Sequence, residues 1–286
     1  YNGVYILYGS SEDPLGGTKD FIEDILLWLK RNGAILIPDF DYFRAHHNKV
    51  YMELLRYNFQ NDEFKNIKTR IYYSADELIG EKYEFPVVLK AASGSGSSGV
   101  FLCHNEKQLI KLAKKISIIP SLKENGILLL RSIKRKIEGR EPPPSHFNRK
   151  FIIQNFIPNM DGDYKVLVFG DDYFVLYRSN RKNDFRASGS GILLQPKEEK
   201  LFFVLDFAKK CVQEIQSPWI SLDIGISNSI CYLLEFQCIS FGFKTISWAD
   251  YYYVLENNSW KKKEFKKSVE EEFAYAINNF LQKSYM

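Results

Sequence analysis

The sequence predicts an α+β protein opened by a small α/β unit, and three stretches predict it. Residues 4–37 read as strand, helix, strand. Residues 85–102, FPVVLKAASGSGSSGVFL, read as two short apolar strands around a loop of small residues. Residues 219–237 read as a second hairpin that carries two acidic side chains. Short strands pairing through turns, with helices set between them, make a mixed fold of this class.

The elements follow in order. Residues 4–8 form a buried-type strand, and residues 19–31 place apolar side chains at 21, 22, 25, 26, 28 and 29, a helical face. Asn32-Gly33 stops that helix, and residues 34–37 form a strand ended by Pro38. Asn48 can cap a helix over 49–56. His46 and His47 have no partner at metal-ligand spacing and read as loop histidines. A strand over 67–73 leads to Ser74 and Glu77, a capping box for a short helix. Asn105 and Gln108 form another before a helix over 106–116. Residues 120–136 are expected to be helical, and 138–146, with three consecutive prolines, to be loop. Strands follow at 151–156, 164–169 and 173–178, the last two joined at Gly170-Asp171-Asp172. Residues 178–191 are a polar loop, 198–216 an amphipathic helix, and 259–283 a charged surface helix.

Composition bounds the partners. A chain of 286 residues supports two or three packed units, here expected at 1–47, 48–150 and 151–286. A net charge of +4, spread along the chain, suits a phosphate-rich ligand. Aromatic and basic residues do not interleave as in a nucleic-acid module, so no nucleic acid is expected. Four cysteines without C-x-x-C spacing read as reduced core residues of a cytoplasmic protein. No apolar run approaches a membrane span and no signal peptide is visible, so no membrane partner is expected. A homodimer is a common default for soluble enzymes and is the expectation should this chain be one.

Gly94, Gly96 and Gly99 spell G-x-G-x-x-G, but a strand follows them where a dinucleotide fold would start a helix. The Gly-Lys-Ser/Thr of a Walker loop is missing. Lys90 precedes the loop, whereas a protein-kinase lysine lies on the following strand. Small residues free backbone N–H groups to face an anion, and glycine permits positive φ. The loop therefore reads as a phosphate-covering hairpin, with a flexible linker as the alternative.

In WISLDIGISNSICYLLEFQ, a hairpin centred on Ser229 sets Asp223 opposite Glu235, with Gln237 on the same face. Cross-strand Cβ atoms lie roughly 5 Å apart, and two bare carboxylates so placed repel. A cation belongs between them. Mg²⁺ fits, since it takes one or two carboxylates and completes its shell with water and phosphate oxygens, and Gln237 offers a third oxygen. The alternative is a lysine or arginine paired with Glu235.

Taken in order, a lysine-starting helix, Val-Val-Leu-Lys before the Gly/Ser loop, a Gln-x-Phe-Ile strand, a hairpin, an Asp-Phe-Arg loop and Leu-Asp…Leu-Glu-Phe-Gln resemble the ATP-grasp superfamily of carboxylate–amine ligases. The nearest look-alikes are ribosomal-protein glutamate ligases and D-alanine–D-alanine ligases, over about residues 45–245. The resemblance implies ATP sandwiched between two α+β subdomains. It implies that Lys49 and Lys90 contact phosphates and that Ser93, Gly94, Ser95, Gly96, Ser97, Ser98 and Gly99 close over them. Gln154, Asn155, Phe156 and Ile157 would present backbone to adenine, and Asp223, Glu235 and Gln237 would hold one or two Mg²⁺. Arg178 and Arg186 would orient the transferred phosphoryl group or the acyl intermediate, as catalytic residues.

Four positions depart from the family pattern: Asn155 for Glu, Lys165 for the Arg of Asp-x-Arg, Ser188 for Asn, and Gln237 for Asn. The implied activity is ATP- and Mg²⁺-dependent joining of a small-molecule or peptide carboxylate to an amine through an acyl phosphate. A kinase on the same scaffold and a catalytically reduced ATP-binding module are the alternatives.

Overall fold

In the computed structural model, which describes residues 1–10, 17–94, 96–118, 121–141, 147–182, 184–187 and 192–284, the opening forms as the pattern requires. β1 (Tyr5–Leu7) and β2 (Ile35–Ile37) pair in parallel, connected by α1 (Gly17–Arg31). A helix not expected from the sequence, α2 (Phe40–Ala45), follows. Asp39 starts it by accepting from the Asp41 N–H at 2.9 Å. Leu26, Ala34, Leu36, Phe40 and Phe43 make this segment's core. α3 (Lys49–Tyr57) starts where Asn48 accepts from the Tyr51 N–H at 3.3 Å.

The chain forms two compact units. One is His47–Glu53 with Ile67–Ile157; the other is Tyr1–His46, Leu54–Asn66 and Pro158–Met286. These boundaries differ from those expected at 47/48 and 150/151, because the strand at 151 is interior to the first unit and the opening segment groups with the C-terminal strands.

The first unit holds β3 (Thr69–Tyr72), β4 (Val87–Ala91), β5 (Val100–Cys103), α4 (Glu106–Ser117), α5 (Leu122–Ile137) and β6 (Phe151–Asn155). The sheet order is β3-β6-β4-β5, antiparallel throughout. β6 is interior to the sheet, paired on both edges, and its first four residues are buried. α4 lays Leu109 and Ala113 on Leu89, Cys103 and Phe151. Its cap is Asn105, as expected, but the Gln108 side chain accepts from the His104 N–H at 2.9 Å and not from that of Asn105.

The second unit is built on a sheet ordered β11-β10-β7-β8-β12-β13, with β9 beside β8. Its elements are β7 (Gly162–Phe169), β8 (Asp172–Ser179), β9 (Leu193–Leu194), α6 (Glu198–Ile215), β10 (Trp219–Ser227), β11 (Ile230–Gln237), α7 (Lys244–Trp248), β12 (Tyr251–Glu256), β13 (Ser259–Glu264) and α8 (Val269–Ser284). Buried residues of α6 such as Val204, Ala208 and Cys211 form one of its apolar faces. Ala276 of α8 packs with Phe169, Phe174 and Trp219. The expected helix over 259–283 is corrected here. Residues 259–264 pair as a strand with β12, turning at Asn257-Asn258, both at positive φ, and only Val269–Ser284 is helical. The lysine run 261–263 alternates across an edge strand, where charge discourages further pairing. All four cysteines are buried and unpaired, as expected for core residues.

Candidate active site

The first unit's candidate surface is the β4–β5 hairpin. Ala91 N–H donates to Gly99 O at 2.9 Å, which closes the loop's base. Gly99 has to lack a side chain, since a Cβ there would sit 2.7 Å from Ala91 Cβ. Gly94 and Gly96 take φ of 124° and 58°, which glycine adopts without strain, and Ser97 takes 61°. Ser95 lies outside the described residues. Lys49 is fixed against this loop twice: its N–H donates to Ala92 O at 2.8 Å, and its Nζ donates to Gly94 O at 3.1 Å. Lys90 is half-buried on β4, in register with Val100 and Ile152.

Behind Lys49, one turn along α3, Glu53 is buried. Its two oxygens accept from Thr69 Oγ1 at 3.0 Å and Gln154 Nε2 at 3.2 Å. This ties α3 to β3 and β6. The Gln154 side chain is thus committed to the interior and its backbone to neighbouring strands. Asn155 N–H donates to Lys68 O at 3.1 Å, and its Oδ1 accepts from the Lys68 N–H at 2.7 Å. Of the four residues expected to offer backbone to adenine, only Phe156 and Ile157 lie beyond the ladder.

The second unit's candidate surface is one face of β11-β10-β7-β8. Asp223 stands opposite Glu235, as the sequence predicts, but by a different route. The turn is the two-residue pair Asn228-Ser229, at φ of 49° and 61°, the left-handed pair that matches strand twist. That turn pairs Ile224 with Leu233, one residue out of phase with the expected register. A bulge then takes up Leu234 and restores Asp223 opposite Glu235. Gln237 follows two residues on, and its Nε2 lies 3.0 Å from Glu235 Oε1.

A cation does stand beside Asp223, and it is part of the protein. Lys165 Nζ lies 2.9 Å from Oδ1 and Arg178 Nη2 lies 2.7 Å from Oδ2. Arg178 also grips Asp163 bidentately, at 2.6 and 2.9 Å. Burial raises the pKa of Asp223, but Arg178 and Lys165 more than offset it and hold the carboxyl well below the usual range. Asp163 goes the other way, pushed up to about 6 by burial and by the Asp223 charge, against the pull of Arg178. Arg178 is raised by both carboxylates despite its burial, so it stays charged.

Comparison with known proteins bears on both surfaces. Residues 49–247 match the family described as the RimK-like ATP-grasp domain. The chain belongs to that family. Among curated proteins none matches. Similar solved structures include D-alanine–D-alanine ligase from Bacillus anthracis, at 12% identity and a TM-score of 0.52, covering 98% of this chain and 81% of that one. An ADP complex of N5-carboxyaminoimidazole ribonucleotide synthetase is similar at 13% identity and a TM-score of 0.52, covering 78% and 52%. L-amino acid ligase from Bacillus licheniformis is 15% identical with a TM-score of 0.49, covering 84% and 63%. The chain thus spans less than two thirds of the length of the latter two. The family match and the two structures at a TM-score of 0.52 establish the ATP-grasp fold.

The Arg186 guanidinium pairs with Asp184 two residues away, at 2.6 Å from Nη2 to Oδ2, within its own loop. Ser188 and the rest of 188–191 lie outside the described residues. Asp163 is the site residue that the sequence reading passed over. Its signal is position: Asp163 and Lys165 alternate on β7, facing the same side as Asp223 and Arg178.

The donor set suits Mg²⁺ in kind: hard oxygens from two carboxylates and a carboxamide, with phosphate oxygens and waters left to complete the shell. Among the described residues no group of three His, Cys, Asp or Glu side chains forms an all-protein cage. Asp223 would have to share its oxygens with Lys165 and Arg178.

Proposed function

We propose that this ATP-grasp chain is an ATP- and Mg²⁺-dependent ligase that joins a carboxylate to an amine. The γ-phosphoryl group passes to a carboxylate oxygen, giving an acyl phosphate and ADP. An amine then attacks the acyl carbon, the C–N bond forms, and phosphate leaves with the C–O electron pair. Lys49, Lys90 and the amides of the glycine hairpin neutralise and seat phosphate oxygens, so that charge moving during transfer meets fixed donors. Glu235 and Gln237, with Asp223, would hold the metal, which when bound supplies charge neutralisation on the phosphates. Phe156 and Ile157 offer backbone to the base. Arg178 acts as a positioning residue: its guanidinium is committed to Asp163 and Asp223 and fixes the latter's orientation. The observation that carries this reading is the convergence of Asp223, Glu235 and Gln237 on adjacent strands within the family's span.

One observation favours a second reading, ATP binding without turnover: both oxygens of Asp223 are already engaged by internal cations. An ADP-release screen over acids and amines decides between them. Release requiring both an acid and an amine, with ¹⁸O from labelled carboxylate appearing in phosphate, is the expected result. A stable phosphorylated acceptor formed without amine selects a kinase. Nucleotide-dependent thermal stabilisation with no ADP release selects the binding module.

A further inference from the structure

We infer that α5 is a docking element for an anionic lipid surface. The helix is turned the wrong way for a packed surface helix. Its half-buried positions are Asn125, Leu128 and Ser132, and the two polar ones bond back to their own backbone, Asn125 Nδ2 to Ser121 O at 2.8 Å and Ser132 Oγ to Leu128 O at 2.9 Å. Its solvent side carries Leu130, Ile133 and Ile137, at the i, i+3, i+7 spacing of one stripe. They are 67%, 50% and 81% exposed, with Leu129 beside them at 55%. An ordinary surface helix would bury that stripe and show the opposite one.

Charge decides the occupant. From Leu122 to Ile137 there are five basic residues, Lys123, Arg131, Lys134, Arg135 and Lys136, and one acid, Glu124, a net of +4. The lysines flank the apolar stripe on both sides at 100° per residue, with Lys123 and Lys134 on one side and Lys136 on the other. An apolar stripe rimmed by basic residues on a convex helix is the form that lies in a membrane interface, its aliphatic side chains among acyl chains and its ammonium groups at anionic headgroups. A second copy of α5 would set like charges against each other, which disfavours self-pairing. No helix among the described residues is long and apolar enough to cross a membrane, so α5 would lie on the surface. The composition alone gave no such expectation, because the helix's orientation is what exposes the stripe.

The test is co-sedimentation of the full chain with vesicles of equal phosphatidylcholine and phosphatidylglycerol, against phosphatidylcholine alone, at low and high salt. Sedimentation with the mixed vesicles only, weakened by salt, is expected. Leu130→Gln with Ile133→Gln should lower partitioning about tenfold or more. Lys134→Gln should lower it about fivefold. Both variants should keep the wild-type melting temperature and ATP affinity. Absence of sedimentation with the mixed vesicles, equal sedimentation with neutral ones, or a wild-type oligomer that the double variant disperses would each overturn the assignment.

Discussion

The two ends of β8 carry two buried charge clusters that are balanced differently. At the Arg178 end, Asp163 and Asp223 face Arg178 and Lys165, acid for base. At the Asp172 end, two acids share one lysine: Lys267 Nζ lies 3.3 Å from Asp172 and 2.9 Å from Glu272, both deeply buried. In the balanced cluster Arg178 and Lys165, against burial, hold Asp223 well below the usual carboxylate range, while burial pushes Asp163 up to about 6. In the unbalanced one burial raises both carboxyls against the pull of Lys267, at a joint between β8 and α8 whose stability depends on pH.

Breaking the balanced end should have the largest effect. Arg178→Met removes the one group that bridges both carboxylates and should cost about 3–5 kcal/mol, the range for stranding a buried charge. Urea unfolding measures it. A loss below 1 kcal/mol would mean that the cluster is solvated. Lys165→Met leaves Asp223 with Arg178 alone and should cost less, about 1–3 kcal/mol. With Asp223 in the proposed metal site, Lys165→Met should also strengthen Mg²⁺ dependence of nucleotide binding, since Asp223 then has an oxygen to offer. Calorimetric titration of a non-hydrolysable ATP analogue with and without Mg²⁺ reads that change.

The unbalanced end sharpens the comparison through pH. Burial raises both Asp172 and Glu272, against the pull of Lys267. Asp171 and Tyr275 lie nearby, with Asp171 paired to Lys283. A carboxyl raised in the fold contributes stability that is complete below its ordinary pKa of about 4 and is lost as pH rises through the folded value. The melting temperature should therefore fall as pH rises above the ordinary carboxylate range and through the raised folded values. Glu272→Gln should flatten the profile and raise stability at pH 8 by on the order of 1 kcal/mol. A profile unchanged by that substitution would assign the pH dependence elsewhere.

The two clusters also differ in how far the chain reveals them. Asp223 and Glu235 are legible because they share one hairpin, but the bulge at Leu234 that sets them opposite each other is not. The glycine hairpin is legible for a similar reason: its chemistry lies in consecutive residues. Lys165 and Arg178 are named in the sequence, yet their partnership with Asp223 depends on β7 lying between β8 and β10, a pairing order that no local pattern specifies. Asp172, Lys267 and Glu272 are beyond local reasoning altogether. They are separated by about a third of the chain, and the lysine run before them reads as helix until β12 supplies a partner strand. Gln154 and Asn155 show the same limit: the resemblance implied that they offer backbone to adenine, and the fold places both within the strand ladder.

The smallest predicted effect concerns how Glu235 arrives at Asp223. The turn Asn228-Ser229 places serine at a φ of 61°, a conformation that costs a non-glycine residue about 1 kcal/mol. Ser229→Gly should relieve it and stabilise the hairpin by about 0.5–1 kcal/mol, partly offset by the added freedom of the unfolded chain. Because the bulge at Leu234 sets the phase between turn and site, the gain should come without any change in nucleotide affinity. Deleting Leu234 should regularise the hairpin: the turn keeps its register, Ile224 stays paired with Leu233, Glu235 follows directly as the partner of Asp223, and Mg²⁺-dependent binding is kept. Loss of Mg²⁺ dependence in the deletion would show that the bulge itself, and not only the opposition of Asp223 and Glu235, shapes the metal site.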